Sequence, residues 1–451
     1  MTVRLIYTLM WWLALPLVLA RLWLRGRQEP GYRQHWAERL GWYSNGNGKA
    51  SAGAPLSRAK EPTLWVHAVS VGETRAAEPL IDALLFDYPD SRIVLTHMTP
   101  TGRAAGKELY ARHGARLVQS YLPYDTGTMV RRFINHFQPT VCLLMETEVW
   151  PNLIAVCVKR RVPVVLVNAR LSERSLRKAQ RLGVLMQDAT AAITLVAAQT
   201  AADGERARSL GAPQVAVTGS IKFDVTAPQT ALATGTLLRG RIGARRVLLC
   251  ASTREGEEVL ILDAFVRAAL AADVLLVIVP RHPQRFDDVA ALIEQRGLTL
   301  LRRSQMTERE SGLVESGLAG PAMSADVQVL LGDSMGEMFA YCAACDCAFI
   351  GGSLLPLGGQ NLIEACAMGK PVLVGPHTFN FALVTEEAIA YSAALRVPDA
   401  DQLMRQCRRL LDDDVLRAAM GQQALRFSTL HRGATLRTLA LLRPLIEPQQ
   451  R

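Results

Sequence analysis

From residue 62 onward the chain alternates short β-branched runs with amphipathic stretches of helical length, and no other feature restricts its fold as much. Strands separated by helices pair through crossovers, which builds a parallel sheet covered by helices on both faces. The pattern predicts strands at Thr63–Ala68, Arg92–Thr96, Arg116–Gln119, Val141–Met145, Val164–Val167, Ala192–Leu195 and Val215–Val217. A second set is expected at Val247–Ala251, Val274–Val279, Val327–Leu331, Cys347–Ile350 and Val372–Val374. Between the sets, 225–246 lacks a strand pattern and holds Pro228, Gly235, Gly240 and Gly243, so it reads as an interdomain linker. A chain of 451 residues exceeds what one core usually organises. The expected organisation is therefore two Rossmann-like α/β domains facing a cleft, 63–224 and 247–451, the second ending in C-terminal helices. Open parallel sheets bind ligands beyond the carboxyl ends of their strands, so chemistry is sought there.

The amino terminus follows another pattern. Leu5 to Leu24 is apolar apart from Pro16 and Arg21, near the length of roughly 20 residues that a bilayer crossing needs. No small-residue cleavage site follows it, so residues 1–42 read as a retained membrane anchor helix with a basic flank. Arg21, Arg25, Arg27, Arg33 and Arg39 place that flank on the cytoplasmic side and suit anionic phospholipid. Residues 43–62, rich in Gly, Ser, Ala and Pro, read as a flexible tether.

The formal charge of +10 asks for an anionic partner. No basic run is interleaved with aromatics, which argues against nucleic acid. The eight cysteines sit mostly in apolar runs, as reduced buried thiols do. Cys342, Cys345 and Cys347 lack a second Cys or His pair at finger-like spacing, so no metal is expected.

Polar residues cluster just past the predicted strands. Glu73, in VSVGET, falls at a helix start where the free N–H groups favour a carboxylate that can accept a proton from an attacking hydroxyl. From position alone, an ordinary acidic residue in a first turn is the better explanation. METEVWPN places Glu146 and Glu148 after a buried strand, which implies partners or water, though capping of the next helix competes. Asn168 and Arg170 in NARLS, Lys222 in TGSIKFD, and Pro280, Arg281 and His282 in VPRHPQRF continue the theme, and cations at strand ends suit phosphate. LGDSMGEM is expected to open a helix at Met335, Gly336 and Glu337. GGSLLPLGGQNLIEA supplies glycines before a helix beginning near Asn361, with Leu362, Ile363 and, one turn in, Glu364. Neither a phosphate loop nor G-x-G-x-x-G is present, which argues against nucleotide hydrolysis and dinucleotide chemistry.

Taken together, VSVGET, MTPTG, YLPYD, METEVWPN, NARLS, TGSIKFD, VPRHPQRF, MGEM, GGQNLIEA and GPHTFNF resemble the family of 3-deoxy-D-manno-octulosonic acid (Kdo) transferases. The resemblance implies a GT-B fold and inverting transfer of Kdo from CMP-Kdo to the distal glucosamine 6'-hydroxyl of tetraacylated lipid A precursor (lipid IVA). It implies no cofactor and no tightly bound metal, and a place on the cytoplasmic side of the bacterial inner membrane. It makes Glu73 the catalytic base and gives Glu146 and Lys222 a role in stabilising the transition state. Pro280, Arg281, Met335, Gly336, Glu337, Asn361, Leu362, Ile363 and Glu364 fall in the segments that hold CMP. The family often has His where this chain has Gln360 and Pro at Leu362, so those two side chains depart from its pattern. A UDP-sugar transferase acting on another lipid precursor and a non-catalytic membrane sensor of nucleotide sugars are the alternatives.

Overall fold

The computed structural model describes residues 2–27, 29–45, 49–50, 62–270, 273–308 and 322–447. Most of the expected tether, 46–48 and 51–61, lies outside the described residues. The chain divides into two compact units, one of 1–224 with 432–451 and the other of 225–431.

The first unit holds a seven-stranded sheet of β1 (Thr63–His67), β2 (Arg92–His97), β3 (Leu117–Tyr121), β4 (Val141–Met145), β5 (Val164–Ala169), β6 (Leu195–Ala198) and β7 (Val215–Val217). All neighbours are parallel, in the order β3-β2-β1-β4-β5-β6-β7. The central strands are buried on both faces, which is why they read as unbroken apolar runs rather than alternating ones. Trp65, Cys142, Leu144 and Leu166 pack into one core, while Leu64, Val66, Leu143 and Val165 pack into the other. The strand order reverses between β1 and β4, and such switch points are where open sheets bind ligands.

In the second unit β8 (Arg246–Thr253), β9 (Val274–Pro280), β10 (Leu300–Arg302), β11 (Val329–Leu331), β12 (Cys347–Ile350), β13 (Val372–Val374) and β14 (Ala394–Arg396) form another parallel sheet. Its order is β10-β11-β9-β8-β12-β13-β14, with the reversal between β8 and β12.

Several expectations need correction. The sixth strand begins at Leu195 instead of Ala192, because a helix runs to Ala191 and Ala192 is its C-cap. The three-residue strands β10 and β14 lie at sheet edges and have too little apolar sequence to signal themselves. The expected linker 225–246 contains a 14-residue helix, Gln229–Ile242, packed in the second unit. Gly235 there is not a breaker: a Cβ on it would meet the Ala343 side chain at 2.5 Å and the Ala340 carbonyl at 2.8 Å, so it permits close packing on the helix Met338–Ala344. The last helix, Ala434–Ile446, belongs to the first unit instead of the second. Its Leu439, Leu442 and Ile446 join the core of Leu80 and Leu84, and Asp224 accepts from the N–H groups of Gly433 and Thr435 at its start.

The N-terminal helix, Thr2–Arg25, is long and apolar enough to cross a membrane. Tyr7 donates to Asp125 at 2.9 Å, Thr8 bonds Asn152, and Trp11 lies 5.8 Å from the Tyr124 ring. Leu5, Leu13 and Leu17 remain 70–74% exposed. Of the basic flank, Arg39 is not available to a headgroup: it is buried over the Tyr121 ring and donates to the Met98 carbonyl. Arg33 stacks on Trp23.

Candidate active site

In the first unit Glu73 and Glu146 follow β1 and β4, the two strands that flank the switch point. Glu73 lies in the short helix Val71–Ala76, whose start is a reciprocal cap. Its N–H donates to Ser70 Oγ at 3.5 Å, and its carboxylate accepts from the Val69 N–H at 2.7 Å and from the Ser70 hydroxyl at 3.3 Å. The side chain is thus held by the turn that precedes it. Burial pushes its pKa up to about 7. The Val69 N–H opposes that rise, while the nearby Glu146 and Glu148 carboxylates add to it. A carboxyl poised near neutrality suits a general base. Glu148 is raised too, chiefly by burial, although it accepts from the Trp150 indole at 2.8 Å.

Glu146 has a φ of +57°, a left-handed conformation that costs a non-glycine residue about 1–3 kcal/mol and is concentrated at functional sites. Its N–H is held by the Val167 carbonyl. Lys222 follows β7 at the sheet edge, three strands away from β4 in the sheet order, yet its Nζ lies 2.7 Å from Glu146 Oε1. The connection runs through Asn168 at the end of β5, also at positive φ, whose Oδ1 accepts from the Ile221 N–H at 3.1 Å. That bond folds the turn Ile221–Asp224 back over the sheet, and the C-terminal helix clamps the turn from the other side through Asp224. Glu146 therefore links Lys222 and Glu73: it pairs with Lys222, and its charge acts on Glu73.

In the second unit Pro280 ends β9, and the Arg281 N–H bonds the Thr253 carbonyl at the end of β8. The helix expected at Met335 starts at Met338, because Gly336 takes a φ of +80° and makes a turn. Glu337 occupies the N-cap position without a side-chain cap, its carboxylate being spent on Arg303, with contacts of 2.9 and 3.1 Å, and on Ser334. Burial works to raise Glu337, but these partners outweigh it and hold the carboxyl below its ordinary value. The next helix starts at Ile363, close to the expected Asn361, and Glu364 sits in its first turn. Asn361 accepts from the Ile363 N–H and donates to Glu364. Leu362 and Ile363 are fully buried, so their side chains serve the core. His282 is lowered by burial and by Arg254, Arg281 and Arg285 around it.

Glu257 was missed by the sequence reading. Fully buried at the start of the helix Glu257–Arg267, it accepts from the N–H groups of Arg254, Gly352 and Leu354, so it joins the loops after β8 and β12. Arg254 offers no side-chain acceptor for a reciprocal cap, so the local spacing carried no signal for Glu257, whose partners Gly352 and Leu354 are distant in sequence. Among the described residues no group of three His, Cys, Asp or Glu side chains is placed to hold a metal.

Residues 34–225 match the family profile described as 3-deoxy-D-manno-octulosonic-acid transferase (kdotransferase). Among solved structures, the chain is similar to UDP-GlcNAc 2-epimerase from Neisseria meningitidis, with a TM-score of 0.55, 14% identity and coverage of 85% of this chain and 100% of that one. It is also similar to a glycosyltransferase from Rickettsia africae, with a TM-score of 0.54, 12% identity and coverage of 86% and 100%. These likenesses show the fold alone, two parallel-sheet α/β domains of the GT-B kind. Two curated 3-deoxy-D-manno-octulosonic acid transferases go further: that of Bordetella pertussis is 44% identical over 95% of this chain and 96% of its own length. That of Haemophilus influenzae is 37% identical over 98% and 99%. Identity at this level along nearly the whole chain places it in a family, and this chain belongs to the 3-deoxy-D-manno-octulosonic acid transferases.

Proposed function

We propose that the enzyme transfers Kdo from CMP-Kdo, with inversion, to the distal glucosamine 6'-hydroxyl of tetraacylated lipid A precursor. The observation that carries this reading is Glu73, a carboxyl near neutrality oriented by its own turn beside the Glu146–Lys222 pair. Glu73 takes the hydroxyl proton as the acceptor oxygen bonds to the anomeric carbon of Kdo. The bond from that carbon to the phosphate oxygen breaks, and CMP departs with a second negative charge. Lys222, oriented by Glu146, stabilises charge that builds in the transition state, when such interactions act most strongly. In this reading the second unit binds the nucleotide, with Arg281 as the cation for its phosphate and Pro280, Met335–Glu337 and Asn361–Glu364 as the binding segments. A monophosphate leaving group carries less charge than a diphosphate, so protein cations suffice in this scheme.

The N-terminal helix holds the enzyme to the cytoplasmic side of the inner membrane, where the acceptor resides. Its row of exposed leucines supports this, and Arg21 and Arg27 are exposed cations of the flank that suit anionic phospholipid.

Mass spectrometry of the product made from CMP-Kdo and tetraacylated lipid A precursor tests the reaction, with UDP-sugars as competing donors. The expected product carries Kdo on the distal glucosamine, and transfer from a UDP-sugar instead would overturn the donor assignment. Glu73→Ala is expected to abolish transfer and to leave CMP binding within about twofold, since it touches only the first unit.

A further inference from the structure

His97 ends β2 and is fully buried. Its ring is fixed from both sides. Nε2 lies 2.9 Å from the amide nitrogen of Gln119, whose other contacts, to the Arg103 carbonyl and the Lys107 N–H, orient that amide with its nitrogen toward the ring. Nε2 therefore accepts, and the proton sits on Nδ1, 3.1 Å from the Ala68 carbonyl oxygen. The Ala68 carbonyl and the Val69 N–H belong to one peptide group, and that N–H grips the Glu73 carboxylate at 2.7 Å. A planar peptide transmits orientation rigidly from its oxygen to its hydrogen. A donor on the oxygen also polarises the group and strengthens the N–H as a donor.

We propose that His97 is a positioning residue for the reaction, setting the orientation and proton affinity of Glu73 through the Ala68–Val69 peptide. This rests on the reading of Glu73 as the base. The charged and titratable groups facing His97 are His67 from β1, Arg103 from the helix Pro100–Leu109 and Glu38 from the helix Trp36–Arg39. Those facing Glu73 are Glu146 and Glu148. Burial lowers the His97 pKa to about 4, so the ring stays neutral across the working range.

Two substitutions separate the halves of the ring. Asn places an amide N–H near Nδ1 and keeps the donor to Ala68, whereas Gln reaches only toward Nε2. For the full-length, detergent-solubilised enzyme, H97N is expected to keep kcat within about threefold of wild type. H97Q is expected to lose on the order of tenfold or more in kcat with little change in KM. Its acid limb of activity against pH should move to higher pH by on the order of one unit, because a weakened Val69 N–H no longer favours the ionised carboxylate. An H97Q profile that superimposes on wild type would overturn the proposal. Should the variants not fold, imidazole 15N spectra of wild-type enzyme decide: the Nδ1-protonated tautomer is expected, and the Nε2-protonated one refutes the relay. Glu73→Ala keeps the two readings apart. An active Glu73→Ala enzyme removes the base assignment, whereas an inactive one with an unmoved H97Q limb removes His97 alone.

Discussion

Replacing Glu73 with Gln should silence the enzyme and, above neutral pH, make its first unit more stable. The carboxyl has a pKa near 7 in the folded protein against an ordinary 4.5, with burial as the chief cause. A group raised on folding contributes stability that is fully present below about 4.5 and is lost as pH rises through 7. At pH 8 the enzyme therefore carries an ionised, half-buried carboxylate. At ~1.4 kcal/mol per pH unit, the difference between the two values makes this cost about 3 kcal/mol. Solvent contact of the partly exposed side chain trims it to about 2 kcal/mol. Gln keeps an acceptor for the Val69 N–H without the charge. For a unit of this size the gain is about 4–8 °C in Tm at pH 8 and about 1–2 °C at pH 5. All seven tryptophans, from Trp11 to Trp150, lie in the first unit, so indole fluorescence follows its melting without interference from the second. Equal stabilisation at both pH values, or destabilisation at pH 8, would refute the assignment of the cost to ionisation.

Lys222→Ala leaves Glu146 without its ion-pair partner, and kcat should fall by roughly 10²- to 10³-fold while the indole melting curve stays cooperative. Glu257→Ala orphans the N–H groups of Arg254, Gly352 and Leu354. The expected cost to the second unit is about 3 kcal/mol or more, read as lost hydrogen-exchange protection at Gly352 and Leu354 and as weaker CMP binding. Asp224→Ala uncaps the C-terminal helix and should lower the indole-detected Tm by about 2–4 °C, since a lost cap costs about 1 kcal/mol.

Much of the site was legible because each catalytic candidate lies just past a strand that announces itself. Val141–Met145 is a run of apolar residues followed at once by two carboxylates, and VSVGET carries its reciprocal cap in the spacing of Ser70 and Glu73. Gly235 was misleading because glycine marks both loops and tight helix contacts. Only the presence of Ala340 and Ala343 opposite it tells the two apart.

The sequence by itself determined the alternation that makes two parallel sheets, the apolar N-terminal helix and the positions of Glu73, Glu146 and Lys222 along the chain. These depend on local pattern, which one stretch of residues contains. Tertiary structure decided which of them meet. It folded the Ile221 turn over the sheet through Asn168, so that residues 76 positions apart in sequence, Glu146 and Lys222, form an ion pair. It returned the C-terminal helix to the first unit, spent Glu337 on Arg303, and put His97 behind the peptide that holds Glu73. Each of these is a directional contact between side chains or peptides far apart in sequence, and the strand order that creates them is not written in any local window.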